Sequence, residues 1–124
     1  MNWRSVDVTL THIDIERGGE INVYVFVKEG FPIDHDKALK RYRFDVEQAH
    51  HTIQIEVPDV EFALKAHHDE DRSGTVTKNW TGFIPAEGFA FSSGARMRFG
   101  PPSFSKAKTS WPESGVLALK MRYP

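Results

Sequence analysis

The residues best suited to chemistry fall in one run, HHDEDRSGT, from His67 to Thr75. Asp69, Asp71, Ser73, Gly74 and Thr75 stand at positions 1, 3, 5, 6 and 7 of a calcium loop, where carboxylate, hydroxyl and carbonyl oxygens converge on the ion. The closing carboxylate expected at position 12 is replaced by Trp80, so the pattern is only half complete. Glu87 is the acid that would fold back to finish the shell. The same residues also make an ordinary polar turn. Asp and Ser side chains bond neighbouring backbone, and glycine takes the positive φ that turns need. Both readings are open on the sequence.

Two histidines add nitrogen donors. In HTIQIEV, alternation puts Ile53, Ile55 and Val57 on one face, and in EFALKAH it does the same for Phe62, Leu64 and Ala66. Joined through PDV as an antiparallel hairpin with Val57 opposite Phe62, the two segments match apolar residue to apolar residue, the condition that fixes register. That register sets His51 opposite His68, with Cβ atoms about 4.5–5.5 Å apart. Paired imidazoles beside carboxylates suit zinc or copper. They serve equally as rim histidines bonded to backbone. Calcium is the cation these residues fit better, and zinc the one they fit less.

Strands must position such a site, and period-two alternation dominates the chain. Val6, Val8 and Leu10 share one face of VDVTLTHI, and the RGGE turn then leads into INVYVFVK. There Ile21, Val23 and Val25 oppose Tyr24 and Phe26, so both faces are apolar and the strand reads as central. GVLALKMRY supplies a last strand with Leu117, Leu119, Met121 and Tyr123 in register. The expectation is one domain over residues 1–124, an all-β antiparallel sandwich of about seven strands, immunoglobulin-like or prealbumin-like. The stretch from Asn79 to Pro112 reads as one long aromatic-rich loop. Its Trp80, Phe83, Phe89 and Phe91 make either an aromatic platform for a ligand or a set of pins that hold the loop to the core.

Composition narrows the function. Sixteen basic residues against seventeen acidic ones give a charge of −1, which argues against a nucleic-acid partner and against a polybasic membrane surface. No apolar run approaches the roughly 20 residues of a membrane span, and MNWRSVDVTL contains no apolar signal core. Cysteine is absent, which removes disulfides, thiolate metal sites and cysteine nucleophiles. No hydrolase elbow, phosphate loop, dinucleotide fingerprint or zinc-protease helix occurs. Ser92 in FSSG has no paired base. The residues therefore favour a non-catalytic binding or interaction module for a protein, peptide or glycan, with self-association through sheet edges open to it. The alternative is a metal-dependent, hydrolase-like enzyme built on the His/Asp cluster.

FALKAHHDEDRSGTVTKNWTGFIPAEGFAFSSGA, followed by GPPSFSKAK, resembles the bacterial family called domain of unknown function 2141. The matching residues are His68, Asp69, Asp71, Ser73, Gly74, Asn79, Glu87, Gly88, Phe91, Ser92, Pro101, Pro102, Phe104 and Ala107. Gly82 to Pro85 is one residue longer than the family pattern. Ser73 and Thr77 stand where the family often has Asn and Asp, which would weaken any metal site. The resemblance implies a small β-sandwich that is usually exported, hence a periplasmic or extracellular setting. It implies no activity.

Overall fold

The computed structural model describes residues 2–70 and 87–124. These residues form an all-β sandwich with seven strands among them: β1 (Trp3–Thr11), β2 (Glu20–Phe26), β3 (Lys40–Asp45), β4 (His51–Pro58), β5 (Ala63–Asp69), β6 (Phe89–Phe91) and β7 (Val116–Lys120). They form a three-stranded sheet in the order β4-β1-β7 and a four-stranded sheet in the order β3-β2-β5-β6. Every pairing is antiparallel except that of β1 with β7, which run parallel. Among the described residues, helix is confined to short 3-10 turns and one four-residue helix, α1 (Phe104–Ala107).

Alternation explains the core. Val6, Val8 and Leu10 of β1 join Ile21, Val23 and Val25 of β2, Ile55 and Val57 of β4, Leu64 and Ala66 of β5, and Leu119 in one buried cluster between the sheets. The twofold apolar pattern of INVYVFVK has its expected cause: β2 lies between β3 and β5 and is buried along its whole length. Its outward residue Phe26 meets Phe31 edge-on, and Phe31 also contacts Phe91 and Phe104. A second apolar cluster of Ala63, Phe89, Phe91 and Ala107 thus covers part of the outer face.

The expected β4–β5 hairpin does not form. β4 pairs with β1, β5 pairs with β2 and β6, and the chain between β4 and β5 crosses from one sheet to the other. Alternation decides which face of a strand turns inward, and an inward face is satisfied as well by a strand stacked across the core as by one alongside. Ile55, Val57, Leu64 and Ala66 do share one core, but from opposite layers. His51 is set opposite Leu10 and His68 opposite Ile21, so the imidazole pair is undone.

The stretch expected as one loop also contains regular structure. β6 adds to β5, and a 3-10 turn (Ser92–Gly94) and α1 follow. Ser92 staples these parts together: its buried hydroxyl accepts the Leu64 N–H at 2.9 Å and donates to the Ala107 carbonyl. The RGGE turn closes tightly on the end of β5. Gly19 has φ +72°, and a Cβ there would lie 2.3 Å from the Asp69 carbonyl oxygen, so only glycine fits.

Candidate functional site

Asp71, Ser73, Thr75, Trp80 and Phe83 lie outside the described residues. Asp69 ends β5, fully buried, in a cross-strand row with Glu20 and then Asp45. The Glu87 carboxylate meets protein donors at the base of the His67–Thr75 run. One oxygen lies 2.9 Å from His67 Nε2, and the other accepts the Glu70 N–H at 2.9 Å. Among the described residues, no group of three or more His, Asp or Glu side chains converges as a metal-ligand set.

His68 is a satisfied core histidine. Its Nε2–H donates to the Gly18 carbonyl at 2.6 Å, and its Nδ1 accepts the Tyr123 hydroxyl at 2.8 Å. The same hydroxyl accepts the Asp14 N–H at 2.9 Å. Both ring nitrogens are engaged within the protein. Tyr123→Phe would leave the His68 Nδ1 and the Asp14 N–H without their partner, and a cost of about 1–3 kcal/mol is expected. Urea unfolding checks this; an unshifted midpoint would show the relay carries no weight. His51 is half-buried at the rim, stacked on Phe44 with centroids 3.8 Å apart. Phe89 and Phe91 are buried in β6 and stack on each other at 6.2 Å.

A buried polar seam runs beside them on the outward face of the four-stranded sheet. Register places Asn22 opposite His67 and Tyr24 opposite Lys65, and all four are buried. Arg41 Nε donates to Asn22 Oδ1 at 3.0 Å. The Lys65 ammonium donates to the Pro32 carbonyl at 2.8 Å and lies 2.9 Å from His35 Nε2. The His35 ring stacks on Tyr24 with centroids 4.0 Å apart. Burial pushes Lys65 down to about 8. Burial, helped by the Lys65 charge, pushes His35 down to about 4, which leaves it a neutral acceptor for Lys65. His67 is lowered by burial although Glu87 opposes the shift.

A neutral His67 donates its Nε2–H to Glu87, and its Nδ1 is then a bare lone pair. That atom, Asn22 Nδ2 and the Tyr24 hydroxyl are buried with no hydrogen-bond partner among the described residues. Buried polar atoms are nearly always paired, so three on neighbouring positions mark the seam as unusual. The His67–Glu87 pair holds the parts of an acid–base couple. Lys65 and His67 themselves carry no signal of this role in the sequence, because outward polar residues on a strand ordinarily meet water. The signal that could have found them is Tyr24 and Phe26 on the same outward face, which says that this face is covered.

Two adjoining cavities open at the end of the sandwich built by residues 92–107 and the segment after β7. The smaller, about 230 Å³, is lined by Glu87, Phe89 and Tyr123 together with Arg96, Arg98 and Arg122. The larger and more open one, about 840 Å³, shares those three arginines and adds Phe99 and Lys106. Arg122 is fixed by two backbone hydrogen bonds to Phe89, at 3.0 and 2.9 Å. None of the ion pairs among the described residues involves Arg96, Arg98, Lys106 or Arg122.

The sequence model of a family described as "Uncharacterized protein conserved in bacteria (DUF2141)" matches residues 8–116. No curated protein and no solved structure matches the chain.

Proposed function

Because the chain belongs to the DUF2141 family of uncharacterized proteins conserved in bacteria, we propose its function from the site itself: it is a non-catalytic binding module whose ligand contacts the loop-built end of the sandwich. The observation that carries this reading is the pair of cavities sharing Arg96, Arg98 and Arg122. Binding sites gather on loops held by a rigid scaffold, in concave places with a few convergent polar groups. Here β6, Ser92 and α1 supply the scaffold. The strand order favours the prealbumin-like type of sandwich, since β1 and β2 lie in different sheets whereas an immunoglobulin constant domain keeps its first two strands in one. A cell-envelope setting, periplasmic or extracellular, rests on the family's usual export.

The reading does not draw on a calcium ion at Asp69, because Glu87, expected to close that shell, is engaged by His67 and Glu70. The rival reading, a metal-dependent hydrolase-like enzyme using His51 or His68 with Asp69, Asp71 and Glu87, has less support: His51 lies in the other sheet, and His68 and Glu87 already meet protein partners. The test is an array of bacterial cell-wall glycans and peptides, probed with the whole protein and with Arg96→Ala/Arg122→Ala. Binding by some members, lost in the double variant at unchanged melting temperature, is the expected result. A blank array, or binding that survives both substitutions, overturns the proposal.

A further inference from the structure

Resting on that reading of the cavity pair as a ligand site, we infer that its ligand is a small molecule bearing a phosphate or carboxylate group, held by Arg96, Arg98, Arg122 and Lys106. The charge balance of −1 conceals a strong segregation. Residues 87–124 carry six lysines and arginines against two glutamates, while residues 1–86 carry ten against fifteen acidic side chains. Four of the six cations line the two cavities, and none of the four takes part in an ion pair among the described residues. Lys108 and Lys120 line neither cavity, and Lys108 pairs with Glu61 at 3.3 Å.

Gathering like charges in a concavity is unfavourable on its own, because each raises the potential the others feel. An oxyanion relieves that repulsion. The guanidinium fork matches the planar oxygens of a carboxylate or phosphate in paired hydrogen bonds, which a lone ammonium cannot do. The arginines are also positioned. Arg96 and Arg98 flank the half-buried Met97, which packs on the Phe89–Phe91 cluster. The Arg98 N–H closes a turn on Gly100, and Arg122 is bonded across to Phe89. Aromatic rings at Phe89 and Tyr123 border the smaller cavity, and the wholly exposed Phe99 borders the larger, giving an apolar surface for the body that carries the anion.

The acidic remainder of the molecule sets the ligand's size. A long polyanion would extend beyond the basic end to the part of the chain where carboxylates are in excess. A small ligand stays among Arg96, Arg98, Arg122 and Lys106, with Glu87 the one acidic side chain lining the smaller cavity. Nucleic acid and other polyanions are therefore disfavoured by the same segregation that favours a small oxyanion.

Calorimetric titration at low salt with inorganic phosphate, glucose 6-phosphate, glucuronate and neutral glucose tests the assignment, and the compound that binds distinguishes phosphate from carboxylate. At least one oxyanion is expected to bind about tenfold or more tightly than glucose. Binding should weaken with added salt. Arg98→Gln/Arg122→Gln should reduce it by a further factor of about ten or more, with an unchanged melting temperature. Should that variant unfold, Lys106→Gln and Arg96→Gln give the same reading singly. No binding by any oxyanion, equal binding of glucose, binding only of heparin or DNA, or full retention in the folded variants overturns the inference. Equal binding of glucose, or an array hit with a neutral ligand, would leave the binding-module reading standing while removing the oxyanion. A blank array and a blank titration would remove both.

Discussion

Glu87→Ala is expected to lower folding stability by roughly 3–5 kcal/mol, the scale of removing one partner from a buried hydrogen-bonded charge. The carboxylate is 3% exposed and bonds in two directions, to His67 Nε2 and to the Glu70 N–H. Its loss strands a fully buried imidazole N–H whose other nitrogen already has no partner among the described residues. Glu87→Gln should cost much less. Its amide oxygen still accepts the Glu70 N–H, and its NH₂ can donate to His67 once the ring shifts its proton to Nδ1. Urea unfolding of the three proteins side by side checks the order. An alanine variant within about 0.5 kcal/mol of the parent would mean that the pair does not hold β5 to the start of β6.

Acid should weaken the fold through His35, by up to about 3 kcal/mol between pH 6.5 and pH 4. Its imidazole is lowered from 6.5 to about 4, first by burial and then by the ammonium of Lys65 at 2.9 Å. Across that window the unfolded chain takes up the proton and the folded chain does not. Stability is therefore fully present above 6.5 and falls as pH drops towards 4. Asp34, at the base of the same turn, opposes the shift, while His67 and Arg41 reinforce it. His67, lowered in the same sense, adds to the slope. His35→Phe keeps a ring on Tyr24 and removes the titration, so its curve of stability against pH should be flatter. Parallel curves for parent and variant would show that His35 titrates normally.

The strands and the faces they turn inward were legible in the chain, and so was the central place of INVYVFVK, because burial imposes a period that residue type records. The partner of each strand was not. Ile53 to Val57 and Phe62 to Ala66 fit one another equally well side by side or across a core, and only the whole set of pairings decides. β6 was hidden in FAF, three residues too short to display a period. At the site, the sequence suggests Glu87 as the acid that closes a calcium shell, and its carboxylate instead meets His67 and the Glu70 backbone. His67 and Lys65 escaped notice because nothing local shows that Phe31, Pro32 and His35 lie over them. The four cavity cations were masked by a near-neutral total.

The parallel contact of β1 with β7, register Asp7 to Val116, has a consequence for biosynthesis. As the nascent polypeptide leaves the ribosome, β1 can zip to β4 early, yet its opposite edge stays open until β7, about a hundred residues later, has emerged. That edge is a template for other chains in the meantime. Closing so wide a loop also places the docking of β7 among the slow, non-local events of folding. Newly made molecules should thus depend on chaperone shielding for longer than a sheet of hairpin-linked neighbours would.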